Sequence, residues 1–136
     1  ADGKLARVAG EAFMLITGAS SDDIELAGPA PRSLEGGPSN DASDDSVDID
    51  EDESLPWPDR DRAERWWQAR APSMPSAACL FMGAPPSLAH CTGVLRTGCQ
   101  RQRSIAALRI CLERADRPLF NIYAPSWRQQ RELSTS

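Results

Sequence analysis

Histidine and tyrosine occur once each, and after Lys4 every basic side chain is an arginine. A single histidine, His90, leaves acid–base chemistry near neutral pH short of candidates. No His-Glu pair exists, which removes the iron-binding hydroxylase pattern of helical-repeat enzymes. Glycine loops of the GxGxxG or Walker type are missing, as are a GxSxG elbow and an HExxH helix. The longest apolar run falls well short of the roughly 18 residues a membrane span needs, and no charged-then-apolar leader opens the chain. Aromatic residues make up 6% of the sequence against 40% hydrophobic residues in all, which is lean for a self-sufficient core. These absences point away from an enzyme and away from a membrane protein.

What is present is divided by charge. Residues 1–59 hold 15 Asp/Glu against 3 Lys/Arg, whereas residues 60–136 hold 5 against 12. The overall −5 therefore conceals an acidic half of −12 and a basic half of +7. Such asymmetry implies attraction between the halves or two oppositely charged partners. The 136 residues fit one ordinary domain, punctuated by 11 prolines and 9 glycines. Ala1-Asp2-Gly3-Lys4 contains no initiator Met and a helical pattern begins almost at once, as in a C-terminal piece of a longer protein or a processed chain.

From Leu5 the apolar residues Leu5, Val8, Ala9, Ala12, Phe13 and Ile16 repeat at the spacing of one helix face. Gly18 is the expected stop, giving a helix over about 2–17. From 20 to 55 the periodicity is lost among Gly-Pro and Asp/Glu runs. Too few side chains there can be buried to offset an ordering cost of roughly 1–2 kcal/mol per residue. That stretch reads as an acidic, unfolded linker between a first unit at 1–19 and a helical region at 56–136. Pro56-Trp57-Pro58-Asp59 leads into a second helix reaching about residue 71. Residues 77–83 form a short apolar run without a period, extended or part of a buried turn. Ser87 caps a helix carrying Leu88, Cys91, Val94 and Leu95, closed by Gly98. The stretch 99–115 is the most regular, with Ile105, Leu108, Arg109 and Leu112 on one face and Ala106 widening it. A last short helix follows Pro125. The expected fold is all-α, built of short-linked helix hairpins.

Several residues carry a resemblance. They are Ala9-Gly10-Glu11-Ala12-Phe13 with Ile16-Thr17-Gly18, an acidic stretch, Leu55-Pro56-Trp57-Pro58-Asp59 and Trp66-Trp67. Leu95-Arg96-Thr97-Gly98-Cys99-Gln100-Arg101-Gln102-Arg103 and Ala124-Pro125-Ser126-Trp127-Arg128-Gln129-Gln130 complete the set. In this order they resemble the C-terminal region of a bacterial family of uncharacterised HEAT-repeat proteins, relatives of the phycobilin-lyase type. The resemblance implies antiparallel helix pairs of the α-solenoid kind with a protein-binding surface, sometimes accessory to bacterial secretion loci. It also implies further repeats upstream, since two or three pairs are near the minimum for a stable stack.

The remaining chemistry is weighed residue by residue. The acidic run from Asp44 to Glu53 lacks an EF-hand's sixth-position glycine together with its twelfth-position Glu, so it reads as a solvated charge run. His90 and Cys91 point about 100° apart on a helix, and Cys79 and Cys99 are distant. Neither a zinc site nor a nucleophile pair is expected, and no cofactor. The four cysteines form no CxxC pair and read as free thiols of a reduced, cytoplasmic setting. The tryptophans read as core, so Trp127→Ala would cost several kcal/mol. For the arginines three uses stand open: solvated or intramolecular pairing, an acidic protein partner, and a phosphate-binding ridge with Trp127 stacking on bases. The candidate interaction surface is Trp66, Arg96, Arg101, Arg103, Arg109, Trp127, Arg128 and Arg131. The expected function is a non-catalytic protein-interaction scaffold; a nucleic-acid-associated module is the second reading.

Overall fold

A computed structural model describes residues 3–20, 27–31, 42–43, 45, 52–77 and 79–134. Among them are five α-helices and no strand: α1 (Gly3–Thr17), α2 (Arg60–Arg70), α3 (Leu88–Thr97), α4 (Gln100–Glu113) and α5 (Ser126–Ser134). No described helix is long and apolar enough to cross a membrane. The chain divides into two units, Ala1–Ser76 with Phe81–Gly83, and Ala77–Leu80 with Ala84–Ser136.

In the first unit the helix limits follow local chemistry. Gly18 takes a left-handed φ of 73° after the last turn of α1, as its lack of a Cβ allows. The carbonyls freed at that end find donors far along the chain: the Met82 N–H reaches Leu15 O at 2.6 Å and the Gly83 N–H reaches Ile16 O at 3.0 Å. The apolar run at 77–83 is thus neither helix nor strand at its end but a turn that caps α1, with Phe81 buried beside it. Asp59 caps α2, its Oδ1 accepting from Arg62 N–H at 3.0 Å. Pro72 lies in a 3-10 turn (Ala71–Ser73) that finishes the helix.

The packing face of α1 corrects the expectation from periodicity. Leu5, Val8 and Ile16 are 62, 45 and 51% exposed, whereas Arg7 and Thr17 are buried. Of the expected face Phe13 does turn inward, and with Met14 it packs with Ala63 and Trp66 around Ala19. Phe13 meets the Trp66 ring edge-on at 5.5 Å, and Arg7 lies 4.5 Å from the centroid of Trp57. The unfolded linker expected at 20–55 lies mostly outside the described residues. Among its described residues, Ala27 bridges Pro58, the Gly28 N–H donates to Trp57 O at 2.7 Å, and Leu55 is buried.

The second unit is organised by the α3–α4 pair, joined by Gly98 and Cys99 alone. Ser87 caps α3 through its side chain, which accepts from His90 N–H at 3.2 Å. Gly98 keeps an ordinary φ, so it is required for space: a Cβ there would lie 2.7 Å from Val94 O. The Cys99 N–H donates to Gln102 Oε1 at 2.9 Å, opening α4. Cys91, Val94 and Leu95 are buried on α3, as their spacing predicts. On α4 the buried residues are Ala106 and Ala107, small enough for the helices to approach closely.

Candidate interaction surface

The face of α4 expected to reach the core does not. Ile105, Leu108 and Leu112 are 39, 53 and 71% exposed. The physical reason is the pair of alanines: once Ala106 and Ala107 turn toward α3, the residues on the other side of the helix face water. Beyond α4 the chain returns alongside it, and Leu108, Leu119, Phe120 and Tyr123 line an open groove of about 490 Å3. Leu119 is 57% and Tyr123 82% exposed. These aliphatic and aromatic side chains leave apolar surface facing water.

The arginines do otherwise. Arg103 donates from Nε to Leu95 O at 2.8 Å and from Nη2 to Gln129 Oε1, tying the end of α3 to α5. Gln129 in turn donates to Ile122 O at 3.0 Å, and Gln100 donates to that same carbonyl at 3.0 Å. Arg96 donates to Leu133 O at 2.7 Å, satisfying a carbonyl at the end of α5. Arg109 pairs with Glu113 one turn on. Arg131 lies 5.4 Å from the Trp127 centroid. Arg101 and Arg128 are exposed. Arg96, Arg101, Arg103, Arg109 and Arg131 are therefore engaged within the fold.

The tryptophans separate. Trp66 is half-buried in the first unit with Arg70 over its ring. Trp127 is 61% exposed on α5, which corrects its assignment to the core and removes the expected large cost of Trp127→Ala. Its helix is short and mostly polar, and Gln129 and Leu133 make the inward contacts.

Among the described residues no group of three or more His, Cys, Asp or Glu side chains forms an ion site. The four cysteines are free, Cys79 and Cys99 exposed and Cys91 buried. Burial pushes the Cys91 thiol above its ordinary range, and the nearby Arg109 charge only partly offsets this. It stays protonated at neutral pH, the wrong state for a nucleophile. A crevice of about 90 Å3 between α3, α4 and α5 contains Cys111, whose thiol is turned to Arg117 O at 3.7 Å.

The exposed apolar strip itself went unseen in sequence. Its signal was present: three long aliphatics on α4 at intervals of three and four, followed by Leu119 and Tyr123 in a proline-bounded loop. No family model, curated protein or solved structure matches this chain.

Proposed function

We propose that this chain is a non-catalytic protein-interaction module, that the α3–α4 pair is a HEAT-type helix pair, and that it docks partners through the outer face of α4. The observation that carries this reading is the exposure of Ile105, Leu108 and Leu112 in line on one helix. Leaving such side chains in water forgoes roughly 25 cal/mol per Å2 of burial, which association recovers. The arginines support the scaffold and the aliphatic strip supplies the contact.

The test is affinity capture from the cells of origin with the parent chain and with Leu108→Asp/Leu112→Asp. Proteins held by the parent and lost from the variant, at unchanged helicity, support docking through α4. An identical set of captured proteins contradicts it. The nucleic-acid reading has less support, because the arginines it needs in a row are largely bonded within the fold.

A further inference from the structure

We infer that the pocket between α1, α2 and the 56–58 segment binds a small monocarboxylate, its apolar body against the walls and its carboxylate against Arg60. The site belongs to the first unit and is independent of docking through α4.

The pocket exists because its walls are built from small side chains. Ala6, Ala9 and Gly10 line it from α1 and Ala63 from α2, with Phe13 beside them. Gly10 lets the 56–58 segment cross close to the helix, since a Cβ there would lie 3.1 Å from the Cβ of Pro58. The alanines beside that crossing leave a space of about 250 Å3.

The walls select an apolar body. Pro56 and Pro58, which line the pocket, have no N–H to offer. The Ala63 N–H is bonded to Asp59 O at 3.0 Å, and Trp57 O accepts from the Gly28 N–H at 2.7 Å. A neutral polar molecule would lose its water there and gain few hydrogen bonds. Size follows from volume: an apolar cavity of about 150 Å3 holds benzene, or about 25 Å3 per carbon. By that measure the 250 Å3 here takes about ten carbons.

The headgroup is set by Arg60. It is the one charged side chain among the described lining residues, and it has no ion-pair or hydrogen-bond partner among the described residues. Its neighbour Asp59 does not compete for it. The Asp59 carboxylate accepts from the Arg62 N–H at 3.0 Å and pairs with the Arg62 guanidinium at 3.3 Å. A planar guanidinium matches both oxygens of a carboxylate, which favours an acid over an alcohol of the same body. Residues 1–59 carry a net −12, which repels anions at long range. At 0.1 M salt that repulsion is screened beyond about 10 Å, whereas contact with Arg60 is not. A bicyclic aromatic acid and a ten-carbon chain acid share this chemistry.

The experiment is calorimetric titration of the full chain at about 0.1 M salt with 2-naphthoate, decanoate and 2-naphthylmethylammonium. One or both acids are expected to bind saturably, about ten-fold more tightly than the ammonium. Arg60→Gln should weaken the acid about five-fold, the scale of an exposed ion pair, and leave the ammonium unchanged. Ala9 is exposed, so Ala9→Phe fills the pocket without touching the interior and should abolish binding at unchanged circular dichroism. Binding of one acid alone assigns a ring or a chain, and either supports the site. Binding of neither acid would overturn it, as would equal affinity for acid and ammonium. Unaltered binding in Arg60→Gln or in Ala9→Phe would also overturn it. Loss of binding in Leu108→Asp/Leu112→Asp would place the acid on α4 and overturn it likewise.

Discussion

Cys91 and Trp66 show what single side chains contribute to a fold this thin. The Cys91 thiol is fully buried and its pKa is raised, chiefly by desolvation. Above the ordinary thiol range, near pH 8.5, the unfolded chain loses that proton while the folded chain keeps it. The unfolded state then binds fewer protons, so stability falls as pH rises through that range and is unaffected below it. Denaturant midpoints at neutral pH and at about pH 10 should show this decline, and Cys91→Ala should reduce it. Thiol labelling gives a companion result: Cys79 and Cys99 react at once, whereas Cys91 reacts only as fast as the second unit opens. For Trp66, the indole Nε1 is shielded from water without an acceptor among the described residues. Trp66→Phe removes that donor and keeps the edge-on contact with Phe13, so it should cost less than about 1 kcal/mol. Trp66→Ala should cost about 2–3 kcal/mol in thermal unfolding, because the ring contact goes too.

At the scale of elements, helix limits and the buried face of α3 were legible, and the faces of α1 and α4 were not. Gly18, Asp59, Ser87 and Gly98 mark ends because each solves a local problem of orphaned N–H or C=O groups or of space. Which face is buried depends on what lies across from it, and periodicity carries no such information. On α1 and α4 the regular aliphatic stripe points outward, while Arg7, Thr17, Ala106 and Ala107 are inside. The cap from Met82 and Gly83 on α1 was equally hidden, since it joins segments more than sixty residues apart. A Cβ at Gly83, where φ is 79°, would lie 2.7 Å from Thr17 O. Gly83→Ala should therefore destabilise the first unit by about 1–3 kcal/mol. Gly93 is the contrast: it sits in α3 with nothing within 4 Å of an added Cβ. Gly93→Ala should raise the stability of the second unit by about 0.5–1 kcal/mol, measured by the same denaturant titration.

For the whole molecule, hydrophobic spacing announced helices and composition a lean core, and the described residues are largely helical with few buried large side chains. The candidate surface was half legible. Sequence singled out arginines and tryptophans because charged and aromatic residues stand out against a polar background. In the folded chain Arg96 and Arg103 tie helices together, and Arg109 pairs with Glu113 within α4. The less conspicuous leucines of α4 face water.

The measurement that bears most directly on this is the unfolding free energy of Leu108→Asp/Leu112→Asp beside the parent. If the strip lies outside the fold, two charges placed on it should change stability by no more than about 1 kcal/mol. A loss of several kcal/mol, or a variant that fails to fold, would mean that these leucines belong to the interior and that α4 has no free face to offer.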